Sequence, residues 1–134
     1  MKSLVDKLSA IAPELEQRGN VFLLALFERD DVPGKWDVVF SSDWSDRDPT
    51  AATRIISDKI IPNLNAEELS ALSRIAIIPS TQPAVIRLSS AINVSAGCSE
   101  ISESNSMGVQ IKHAFVLRCK RPPTVASPAP SVTT

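Results

Sequence analysis

An uninterrupted apolar run, Val21-Phe22-Leu23-Leu24-Ala25-Leu26-Phe27, constrains this chain more than any other stretch. Successive side chains of a strand point to opposite faces, so this strand is apolar on both. Such a strand is stable only inside a sheet covered on both sides, and the chain must supply the neighbouring strands and covering helices. The run is far shorter than the roughly 18–20 residues needed to span a bilayer, so no membrane contact is expected.

The flanking sequence supplies those elements. Leu4, Leu8, Ile11, Ala12 and Leu15 recur at helical spacing, behind a Ser3/Asp6 capping pair and ahead of Gly19 as a C-terminal stop. Pro13 lies inside that pattern and predicts a kink or a split into two pieces. After a turn marked by Asp30, Asp31, Pro33 and Gly34, Trp36–Ser41 reads as a second strand, hairpin-paired to the first. Asp37, Val39 and Ser41 fall on one of its faces, and Trp36, Val38 and Phe40 on the other. Asp48-Pro49 opens a helix carrying Ala52, Ile55, Ile56 and Ile60. Asn65 caps a short helix, with Leu69 and Leu72 expected to face inward. Arg74–Ile78 reads as a third, central strand, and Pro83 starts a helix with Val85, Ile86, Leu88, Ser89 and Ile92. The Ser-rich residues 93–107 predict a long loop, and Met107–Cys119 a last strand with His113, Phe115 and Leu117 on one face. The expected fold is a single α+β domain over residues 1–119. Its sheet is mixed, mostly antiparallel and four-stranded, packed by three to five helices, with one parallel pair across the long 42–73 connection. Residues 120–134, rich in Pro, Ser and Thr, predict a disordered tail.

Charge narrows the partners. The chain has 14 basic and 15 acidic residues, and Lys120 and Arg121 already lie in the tail. The remainder is net acidic and shows no basic stripe, so nucleic acid is not an expected partner. The N-terminus lacks the apolar core of a signal peptide, which predicts a cytoplasmic protein with Cys98 and Cys119 as free thiols.

Chemistry-bearing residues are scattered. His113 is the only histidine and has no ligand-spaced neighbour, so a packed ring with one hydrogen bond is expected. With four glycines, neither a P-loop nor a dinucleotide fingerprint can be assembled. The most function-like stretch is 30–48, with Asp30, Asp31, Asp37, Asp43, Asp46 and Asp48 alongside Trp36 and Trp44. Clustered carboxylates suit Mg²⁺. The simpler reading has the aspartates solvating a turn, lining a loop and capping a helix, with no metal or cofactor. Trp44 falls in a polar stretch, where an exposed indole would anchor a partner. Asp37, Trp44 and His113 are the candidate ligand-binding residues, and none is assigned a catalytic role.

Within residues 21–92, Leu24-Ala25-Leu26-Phe27-Glu28-Arg29, then Trp36-Asp37-Val38-Val39-Phe40, then Arg74-Ile75-Ala76-Ile77-Ile78 together resemble the minimal nucleotidyltransferase fold. In that family the first strand ends in Gly-Ser and the second carries Asp-x-Asp. Here Glu28-Arg29 replaces the former, and Val39 stands where the second carboxylate would be. The resemblance thus implies a degenerate site that has lost nucleotidyl transfer. The segment Phe27 to Ser41 and the closing Gly108-Val109-Gln110-Ile111-Lys112-His113-Ala114-Phe115 also resemble uncharacterised small bacterial α+β proteins, a resemblance that implies no function. Two functions follow as expectations: a non-catalytic protein-interaction or regulatory module, binding itself or another chain, and a degenerate nucleotide- and Mg-binding protein.

Overall fold

A computed structural model describes residues 2–29, 31–91, 99–106 and 109–120. The expected tail after Lys120, together with Asp30, Ile92 and Cys98, lies outside the described residues. In chain order the elements are α1 (Lys2–Glu16), β1 (Val21–Glu28), β2 (Trp36–Ser42), α2 (Asp43–Arg47), α3 (Pro49–Ile60), α4 (Ala66–Ala71), β3 (Leu72–Ile77), α5 (Pro83–Ala91), β4 (Ser99–Ser106) and β5 (Val109–Cys119).

The fold is α+β with a mixed sheet in the order β3-β2-β1-β5-β4. Among the described strands, β1 pairs antiparallel with β2 and β5, β4 pairs antiparallel with β5, and β2 and β3 run parallel. The apolar run is thus the central strand, and its residues Val21 to Leu26 are buried. Leu24 and Leu26 face a core with Trp36, Val38 and Phe40, closed by Leu4, Leu8 and Leu15 of α1 and Ala52, Ile56 and Ile60 of α3. Leu23 and Ala25 face a smaller core with Ala114, Val116 and Cys119, closed by Val85 and Leu88 of α5.

Four local expectations change. α1 passes through Pro13 without splitting and begins at Lys2, so Ser3 sits within its first turn rather than capping it. The ring lies in the last turn and costs about 3 kcal/mol, whereas a fully buried leucine contributes about 1.5–3 kcal/mol. Leu4, Leu8 and Leu15, each 1% exposed or less, outweigh it. β3 is an edge strand rather than a central one, because the 42–73 connection returns it beside β2. The Ser-rich stretch expected as a loop contains β4, which adds a fifth strand beyond the four expected. Backbone pairing to β5 overrides low strand propensity there. Finally, α4 turns Glu68 inward at 5% exposed and leaves Leu69 out at 41%. Glu68 closes a capping box, accepting the Asn65 N–H at 2.9 Å while its own N–H donates to Asn65 Oδ1 at 2.8 Å, and it also pairs with Lys7.

Candidate functional site

The end of the sheet where β1 finishes and β2 begins gathers the polar and aromatic groups. Glu28 and Trp36 are paired in register across β1 and β2, so their side chains share the α1/α3 face with Leu26 and Val38. His113 reaches the same place from β5. Its ring lies 5.1 Å from Trp36, edge-on at 64°, and 5.1 Å from Phe115.

His113 stands between two carboxylates. Nε2 is 2.6 Å from Glu100 Oε2 of β4, and Nδ1 is 3.8 Å from Glu28 Oε1 of β1. The other Glu28 oxygen accepts the Gly34 N–H at 3.0 Å, which ties the β1–β2 turn to the same site. Gly34 adopts φ +84°, a left-handed conformation that glycine takes without steric cost. The histidine was expected to pack with one hydrogen bond. It does pack against aromatic rings, but it also bridges strands. Glu28 and Glu100 carry no spacing signal relative to His113 in the sequence, because strand order alone brings them together.

Asp37 does not join this cluster. It follows Trp36 in the strand, so it points to the opposite face, where Oδ2 accepts from Arg74 Nε of β3 at 3.1 Å. Its Oδ1 is buried and has no hydrogen-bond partner among the described residues. Val39, two residues on, packs against the smaller core. Among the described residues no group of three or more His, Cys, Asp or Glu side chains is arranged to hold a metal ion.

Trp44 is not the exposed anchor its polar neighbourhood suggested. Ser42 caps α2 and exchanges two bonds with Ser45: the Ser45 N–H donates to Ser42 Oγ at 2.8 Å and the Ser42 N–H to Ser45 Oγ at 2.9 Å. That box starts a helix directly from β2 and rolls Trp44 inward. The indole is 9% exposed, packs 5.2 Å from Phe40 and lies beneath the Arg18 guanidinium at 6.0 Å. Asp37, Trp44 and His113 therefore occupy three different places.

A cleft of about 90 Å³ lies where β2 and β3 end, lined by Ser45, Asp46, Pro49, Ile77, Ile78 and Pro79. The Asp46 carboxylate is already engaged there by the Ser80 backbone N–H, at 2.9 Å, and by the Ser80 hydroxyl. Asp48 caps α3, accepting the Ala51 N–H at 3.1 Å, as the Asp-Pro pair predicted. Four groups among the described residues leave their ordinary ionisation: Arg29 is raised and Asp31 lowered by their mutual pairing, and Glu68 and Cys119 move further. The Lys7 ammonium, helped by Ser3 and the Asn65 N–H, holds the Glu68 carboxyl down to about 2, and burial pushes the Cys119 thiol up to about 11. No helix among the described residues is long and apolar enough to cross a membrane. No protein-family model, curated protein or solved structure matches the chain.

Proposed function

We propose that the protein is a non-catalytic interaction module whose partner is a second copy of the same chain, joined through the edge strand β4. The observation that carries this reading is the character of that edge. β4 is continuous over Ser99–Ser106 and keeps an unshifted register with β5 from Ser99↔Val116 to Ser106↔Val109. It contains no Pro, Lys, Arg or Gly, and no bulge, so of the devices within a strand that protect a sheet edge from pairing only the charges of Glu100 and Glu103 remain. β3, at the opposite edge, is shorter and carries Arg74.

A two-fold antiparallel pair sets one residue against itself at the axis. Centring it on Ser102 places Glu100 opposite Ser104 and Glu103 opposite Ile101, so no two carboxylates meet. Sedimentation equilibrium tests this reading. The mass is expected to rise toward that of two chains as concentration increases. Ser102→Lys sets two ammonium groups face to face at the axis and is expected to restore the single-chain mass, with the circular dichroism of the fold unchanged. A wild-type chain that stays single at every concentration overturns the reading, as does a Ser102→Lys variant that associates like wild type.

A further inference from the structure

We propose that His113 is a protonation-dependent clasp that sets how firmly edge strand β4 is held to the sheet. This goes beyond self-association, because the clasp acts within one chain and needs no partner.

β4 occupies the end of the sheet and, among the described residues, pairs with no strand except β5. Backbone pairing sets Ser102 opposite His113, and Glu100 lies two residues away on the same face of β4. The Glu100–His113 contact at 2.6 Å is therefore a diagonal side-chain link across the pair that anchors the edge. On its inner side the ring meets Glu28 of β1 at 3.8 Å, and Trp36 of β2 and Phe115 of its own strand form its walls. Among the described residues, the charged groups facing it are thus one carboxylate from β1 and one from β4. β2 contributes an uncharged ring, and its nearest charge, Asp37, is turned to the other face beside Arg74.

An imidazolium donates from both ring nitrogens, whereas a neutral imidazole donates from one. With the proton on, both carboxylates face an N–H and the link to Glu100 is charge-assisted. With the proton off, a ring donating to Glu100 turns a bare lone pair toward Glu28, and a ring donating to Glu28 gives Glu100 no donor. Either neutral form weakens the bridge from β5 to β4. The edge strand is therefore held more tightly when the ring carries its second proton, the state that more acidic solution favours.

Hydrogen exchange of β4 amides tests this, with rates corrected for the intrinsic effect of pH. The chain is kept dilute enough to remain a single copy, and exchange is compared at about pH 5.5 and about pH 8. The expected result is about two- to fivefold greater protection of β4 at the lower pH, the size of a partly exposed ion pair, with β1 and β2 amides unchanged. Glu100→Gln keeps a hydrogen-bonding side chain but removes the charge, and is expected to erase the difference. Equal corrected protection in the wild-type chain overturns the proposal, and so does a pH step that persists in Glu100→Gln. Should that variant fail to fold, the wild-type comparison decides alone. Self-association is read separately by sedimentation, so failure of one proposal leaves the other standing.

Discussion

Single residues matter here where two segments press together. Gly19 takes φ +153°, and a Cβ at that position would overlap the Asp43 carboxylate and stand 3.0 Å from Trp44 Cδ1. The carboxylate has little room to retreat, since it accepts the Asn20 N–H at 3.0 Å and the Asn20 Nδ2 group at 3.3 Å. Gly19→Ala is therefore expected to destabilise the fold by about 1–3 kcal/mol, through backbone strain and displacement of Trp44. Urea unfolding followed by tryptophan fluorescence measures it, and an unchanged midpoint would remove the argument. The glycine was readable in the sequence as a helix stop. Its closer constraint, the approach of the β2–α2 junction, was not, because Asp43 and Trp44 lie more than twenty residues downstream.

At the level of elements, α4 shows local chemistry overriding hydrophobic pattern. The inward residue is Glu68, held by Lys7 of α1, and not Leu69. A carboxyl depressed to about 2 in the fold, from an ordinary 4.5, stabilises the native state above the unfolded value, and that stabilisation is lost as pH falls through the window between the two. Urea midpoints measured through that window are expected to fall steeply for the native chain. In Glu68→Gln, which has already lost the pairing, they should fall less. Parallel profiles would show that the Lys7–Glu68 pair contributes nothing to acid stability. Among the other elements, β1, β2, α3 and β5 follow their sequence patterns closely, and α1 does so apart from its start and Pro13, because each carries a long apolar periodicity or an Asp-Pro start. β4 carries neither, and its sequence alone reads as a loop.

Taken whole, the molecule is a sheet with unequal covers. One face is closed by α1 and α3, while the other holds a smaller core beneath α5, where Cys119 sits at 1% exposed. Burial that pushes this thiol up to about 11 keeps it protonated at neutral pH, and the protonated thiol is not the nucleophile. In a Cys98→Ser variant, iodoacetamide is expected to label Cys119 only as fast as the chain opens, and not in the closed fold. Labelling as fast as a free thiol in the folded protein would show that this core does not exclude solvent.

Periodicity and end signals within the chain were enough to specify the α+β class, the doubly buried central strand, the β1–β2 hairpin and the Asp48-capped helix. Each of these rests on interactions between residues close in sequence, or on the simple need to hide apolar surface. The edge positions of β3 and β4, the inward turn of Trp44 and Glu68, and the meeting of Glu28, Glu100 and His113 came from the packed fold. Those features depend on which strands lie side by side, and pairing between distant segments leaves no regular spacing in a single sequence.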